Sequence, residues 1–148
     1  MIVHINNLAS HVGQEVGVSD WVQITQERIN QFAEATGDRQ WIHLSAERAA
    51  SSPFKSTIAH GFLTLSLVSE LLRNTITLDG VRMAVNYGCD RVRFVSPVPS
   101  GSRIRGRVVM SAAENKGDGV QVTWDVTIER ENHDKPAAVV TWLVRYFA

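Results

Sequence analysis

From His60 to Asn74 the chain reads HGFLTLSLVSELLRN, a run that is apolar around most of its circumference. Phe62, Leu63, Leu65, Leu67, Val68, Leu71 and Leu72 cover far more than the one stripe of a surface helix, so the spacing predicts a single buried helix here. Burying side chains of this kind is worth about 1.5–3 kcal/mol each, roughly 10–20 kcal/mol together before entropy is counted. One helix cannot cover itself. The rest of a 148-residue chain, suited to one domain (1–148) with one core, has to wrap it.

The second half of the chain has the pattern to do so. Arg82 to Val95 is strand-like and ends at Pro97, Pro99 and Gly101. Ile104, Gly106, Val108 and Met110 then alternate with Arg103, Arg105 and Arg107. After Gly119, the series Val120, Val122, Trp124, Val126 and Ile128 alternates with polar neighbours, one face for the core and one for water. Ala137 to Phe147 is apolar on both faces, as a central strand or one covered by a partner would be. Short connections make these last pairings antiparallel. The fold class is therefore α+β: a curled antiparallel sheet wrapped around a long central helix.

Upstream, residues 1–12 read as a short lead-in helix or a loose arm, with His4 and His11 facing solvent, and Gly13 to Ile24 as a strand. Thr25 has the place of an N-cap, Glu27 suits the first turn, and Ile29, Phe32 and Ala33 form the inward stripe of a helix ending at Gly37. Ser45 caps a second short helix, Ala46 to Ala50, which Ser51-Ser52-Pro53 stops.

Asp38 and His43 follow that first helix. On one continuous helix, residues five apart point about 140° away from each other. They meet only if the chain leaves the helix between them, and Gly37 supplies the exit. A carboxylate facing an imidazole can hold a water and move its protons. Gly61, at the start of the apolar helix, offers an unpaired N–H that could hold an oxygen gaining negative charge. These parts suit adding water to a C=C bond conjugated with a carbonyl. Each also has a plainer reading: Gly-Asp as a turn, His43 as a structural residue, Gly61 as close packing.

The run Phe32-Ala33-Glu34-Ala35-Thr36-Gly37-Asp38, then His43, then Ala59-His60-Gly61-Phe62-Leu63, resembles the hydratase 2 signature of the MaoC-like family, which contains the (R)-specific enoyl-CoA hydratases. The resemblance extends from about Trp21 to the end of the chain. It implies a hot-dog fold, a homodimer, and hydration of trans-2-enoyl-CoA to (3R)-hydroxyacyl-CoA. It further implies that Asp38 and His43 are the catalytic dyad, that the Gly61 amide is the oxyanion donor, and that Ser69 helps order the site. His60 and Phe62 belong to the motif, with His60 expected to position the turn. Where the family has Asn-Pro, this chain has Gln40-Trp41. Gln40 keeps an amide; Trp41 adds a ring that lines an acyl pocket or a dimer contact. This variation resembles the NodN-like branch. A hot-dog thioesterase and a non-catalytic acyl-thioester-binding protein are the alternative readings.

Composition narrows the partners. Fifteen basic and fifteen acidic residues cancel, unlike a nucleic-acid binder. The row Arg103, Arg105, Arg107 faces either CoA phosphates or simply water. The lone cysteine, Cys89, excludes an intrachain disulfide and reads as a small core or rim residue. With no signal peptide and no apolar run near the ~18 residues a membrane span needs, the expectation is a cytoplasmic protein with no membrane partner. The histidines lack metal-site spacing, so no bound metal is expected, and no cofactor beyond the CoA thioester itself.

Overall fold

A computed structural model describes all 148 residues, Met1–Ala148. Four long strands form its wall: β5 (Met83–Phe94), β6 (Arg103–Lys116), β7 (Gly119–Arg130) and β8 (Ala138–Phe147), after the short β1 (Ile2–His4), β2 (Glu15–Val18), β3 (Val22–Gln23) and β4 (Thr77–Asp79). The main sheet runs β2-β6-β7-β8-β5, with β3 also on β6, and every pairing in it is antiparallel. β8 lies inside the sheet, paired on both edges, between β7 and β5. The alternation in β6 and β7 is realised: Ile104, Val108, Met110, Val122, Trp124, Val126 and Ile128 are buried. Register shifts in β5 after Asn86 and Cys89, and in β6 after Met110, give the sheet its curl.

The central helix differs from the single run expected. It consists of α4 (Gly61–Ser66) and α5 (Val68–Arg73), hinged at Leu67. Ser66 Oγ donates back to the Phe62 carbonyl at 2.6 Å, and the Leu67 N–H is shared between the Leu63 and Thr64 carbonyls at 3.1 and 3.3 Å. Such back-bonding bends a helix. Leu63, Leu67, Val68, Leu71 and Leu72 are buried as expected. Phe62 is not: it is 67% exposed. Gly106 explains how closely helix and sheet approach, since a Cβ there would stand 3.1 Å from that of Leu71.

Further differences lie toward the N-terminus. Residues 2–4 pair in parallel with β4, a strand the sequence pattern did not disclose, and a 3₁₀ segment follows at Ile5–His11. Val3, Ile5 and Leu8 are buried, so this is no loose arm. His4 is exposed, whereas His11 is half-buried. The strand expected over Gly13 to Ile24 is broken into β2 and β3. Cys89 is exposed on the edge strand β5, the rim position of the two expected for it. No helix is long and apolar enough to cross a membrane.

Candidate active site

The helix α1 (Gln26–Thr36) is built to end at the site. Thr25 Oγ1 accepts the Arg28 N–H at 3.1 Å at its start. At its end Gly37 adopts φ 79° and donates its N–H to the Ala33 carbonyl at 2.9 Å. That left-handed turn releases Asp38 into an exposed, non-helical stretch. Asp38 Oδ1 accepts the Gln40 N–H at 3.4 Å, while Arg39 pairs back with Glu34 at 3.0 Å. His43 lies inside a one-turn helix, α2 (Trp41–Leu44), that the sequence pattern did not disclose. It precedes α3 (Ala46–Ala50), which Ser45 caps as anticipated.

His43 is buried, and its Nδ1 lies 2.7 Å from the Ile58 carbonyl oxygen. A carbonyl only accepts, so Nδ1 carries the hydrogen and Nε2 is left with a lone pair. Burial pushes the imidazole below its ordinary value of 6.5; His60 adds to that, while the Ile58 bond and Asp38 oppose it. His43 therefore rests neutral near pH 7.

His60 is 2% exposed. Its Nε2 is 2.9 Å from the Asp38 main-chain oxygen, and its ring stacks on His43 with centroids 3.8 Å apart and planes inclined by 21°. Phe32 packs on it at 4.9 Å. One ligand-type atom each from Asp38, His43 and His60 falls within 4.8 Å of the others, a closeness the sequence spacing of the histidines conceals. The trio nonetheless fits an ion poorly. Imidazole lone pairs lie in the ring plane, and two nearly parallel planes cross only far from both rings.

Gly61 opens α4, and no backbone carbonyl accepts its N–H. A side chain there would meet the Phe94 ring at 3.1 Å, so the glycine also serves close packing. His43 and Gly61 share a cavity of about 340 Å³ with Phe54, Thr64, Phe94 and Val98. Two separate hollows, which share Ser69, Asn86 and Trp142 with each other, lie further along the helix: about 260 Å³ beside Leu65, Ser66 and Ser69, and about 420 Å³ from Ser69 to Ile76. The facing wall descends β5 and β8 through Cys89, Asn86, Ala84, Trp142 and Tyr146.

The structure thus brings Asp38, His43 and His60 together and sets Gly61 in the His43 cavity. Ser69 lines the two further hollows instead, its Oγ donating to the Ser66 carbonyl at 3.4 Å. Gln40 is exposed; Trp41 turns beneath the Arg48 guanidinium, 4.5 Å above its ring, and lines only a shallow surface dip with Arg48 and Glu47. Phe62 meets Phe94 edge-on at 6.0 Å. Sequence reasoning missed Thr64, although its place three residues after Gly61 puts it on the same helix face. It also missed the pair Asn86 and Trp142, joined by a 3.2 Å hydrogen bond from the indole, which no local pattern announces. The arginine row is engaged with glutamates: Arg103 with Glu131, Arg105 and Arg107 with Glu129, and Arg107 with Glu15.

Comparison with known proteins gives the chain's relatives. The family model described as "MaoC like domain" matches residues 7–132. The chain is 51% identical over 145 residues to 3-hydroxyacyl-thioester dehydratase Z of Mycobacterium tuberculosis, covering 97% of this chain and 96% of that one. It is 49% identical over 142 residues to Nodulation protein N of Rhizobium leguminosarum bv. viciae, covering 93% and 87%. The solved (R)-hydratase from A. caviae involved in PHA biosynthesis superposes with a TM-score of 0.71 at 24% identity, covering 89% of this chain and 96% of that one. The fold is the hot-dog fold expected from the sequence.

Proposed function

This chain belongs to the MaoC-like domain family, and we propose that it is an (R)-specific hydro-lyase interconverting trans-2-enoyl and (3R)-hydroxyacyl thioesters. The observation that carries this reading is the neutral His43, its Nε2 lone pair free, beside the Asp38 carboxylate and in one cavity with the Gly61 N–H. A water held by Asp38 gives a proton to His43 Nε2 as its oxygen bonds to C3. The C2=C3 electrons move onto the thioester, whose oxygen gains charge opposite the Gly61 amide. The imidazolium, offset by Asp38, then returns the proton from Nε2 to C2 and both groups are restored. Dehydration is the same path reversed. His43, rather than a separate acid, carries the proton both ways, because an imidazole that rests neutral has none to donate at Nε2 until it has accepted one. Adding water across the double bond is redox-neutral overall and calls for no redox group.

The acyl chain is assigned to the groove along α4 and α5, where Leu72, Ile76, Leu78, Val144 and Tyr146 give the last hollow its apolar lining. β5 is an edge strand exposed at all positions except Val92, with Met83, Val85, Tyr87 and Phe94 outward and its far side unpaired. A second copy pairing there would close the groove in a two-fold dimer.

The test is loss of the conjugated-thioester absorbance from trans-2-enoyl-CoA of several lengths, with free thiol followed in parallel. Hydration without thiol release is expected. The acid limb of kcat/KM should have its midpoint below 6.5, since His43 keeps its lone pair there. Thiol release would make the protein a thioesterase, and acyl-CoA binding without turnover would make it a binding protein.

A further inference from the structure

We infer that His60 is a positioning residue that locks the Asp38 main chain and the His43 ring into one fixed relation. The inference leans on the hydratase reading only for its kinetic readout. Three features of one side chain carry it. Its Nε2 stands 2.9 Å from the Asp38 carbonyl oxygen, so Nε2 bears the hydrogen and the bond ties the loop after α1 to the first residue before α4. Its ring lies flat on His43 at 3.8 Å, fixing the plane in which the His43 lone pair points. Its Nδ1 is buried and has no hydrogen-bond partner.

The third feature separates positioning from catalysis. With Nε2–H committed, Nδ1 is an acceptor facing no donor. Protonating it would create a buried N–H with no acceptor and a cation stacked on the group that must itself become cationic. His60 is thereby kept out of the proton traffic. A buried polar atom left unpaired costs about 1–3 kcal/mol, and an apolar ring would avoid that cost. An apolar ring would also lose the donor to Asp38. The residue that both stacks and donates from the far edge of its ring is histidine.

Two substitutions separate the two contacts. His60→Phe keeps a ring against His43 and removes the donor. His60→Gln places an amide donor where Nε2 was and removes the ring. Misplacing a reacting group by about 1 Å costs about 10²-fold. In hydration of a trans-2-enoyl-CoA, His60→Phe should therefore lower kcat about 10²-fold and His60→Gln by no more than about tenfold, each with KM within about threefold of the parent. A His60→Phe protein with the parent's kcat overturns the inference. So do equal losses in both variants that follow the fall in Tm.

Histidine ¹⁵N NMR on the unaltered protein gives an answer that needs neither turnover nor a folded variant. The expected signal for His60 is a ring with its hydrogen on Nε2, in slow exchange. A ring protonated at Nδ1, or one exchanging freely with water, overturns the inference even if the protein hydrates enoyl-CoA. Absence of turnover together with the expected signal would overturn the hydratase reading and leave the clamp standing.

Discussion

The corner where α1, α2 and α4 meet and the wall of β6, β7 and β8 handle buried polar atoms in opposite ways. In the wall, Trp124 is fully buried and its indole N–H donates to Tyr146 Oη at 2.9 Å, the rings meeting edge-on at 6.5 Å. Burial pushes the Tyr146 phenol far above its usual range, although the Trp124 bond opposes this, so it stays neutral. On the outer face, burial would raise the Glu129 carboxyl, but Arg105 and Arg107 together outweigh it and hold it low. In the corner, His60 Nδ1 is buried and unpaired, and Asp38 is exposed beside a buried imidazole. The wall satisfies its polar groups and gives stability. The corner leaves some unsatisfied, as a site poised for a substrate does.

If that division is right, the two regions should fail differently. The largest effect is expected from Asp38→Asn and His43→Asn, which remove the proton acceptor or its counter-charge. Each should lower kcat about 10²–10⁴-fold. Asparagine at 43 keeps an N–H for the Ile58 carbonyl, so unfolding midpoints in urea should stay near the parent's. Near-parental turnover in either variant would break the comparison at the corner.

Next in size is Trp124→Ala, which empties a large buried site and orphans Tyr146. It should cost about 3–5 kcal/mol of unfolding free energy, measured by urea titration. Turnover per folded molecule should stay within a few-fold. A variant of undiminished stability, or one that folds fully yet is inactive, would show that the wall is not merely support.

The smallest effect sharpens the boundary. Thr25→Ala removes the cap of the helix that carries Asp38 and should cost about 1 kcal/mol, with kcat unchanged, because Gly37 and His60 hold the other end. A kcat loss larger than the stability loss would place Thr25 with the corner.

Elements with local causes were legible in the sequence. The α1 boundaries follow from Thr25 and Gly37, and the inner faces of β6 and β7 follow from strict alternation. The hinge at Leu67 was not legible, since Ser66 reads as any polar position until its hydroxyl is seen on the Phe62 carbonyl. Nor was β4, three residues long and paired with a strand 75 positions earlier, Ile2 with Thr77. At the site, the roster Asp38, His43, His60 and Gly61 was readable as a motif, but the stacking of the two imidazoles was not.

Sequence alone determined that a buried helix needs a curled sheet, and that a glycine releases a carboxylate beside a histidine, because both depend on periodicity and on backbone freedom within a few residues. Only the tertiary structure decided the tautomers of His43 and His60 and the groove that Asn86 and Trp142 share with Ser69. Those depend on which carbonyl or side chain arrives from a distant segment, and no local pattern encodes the arrival.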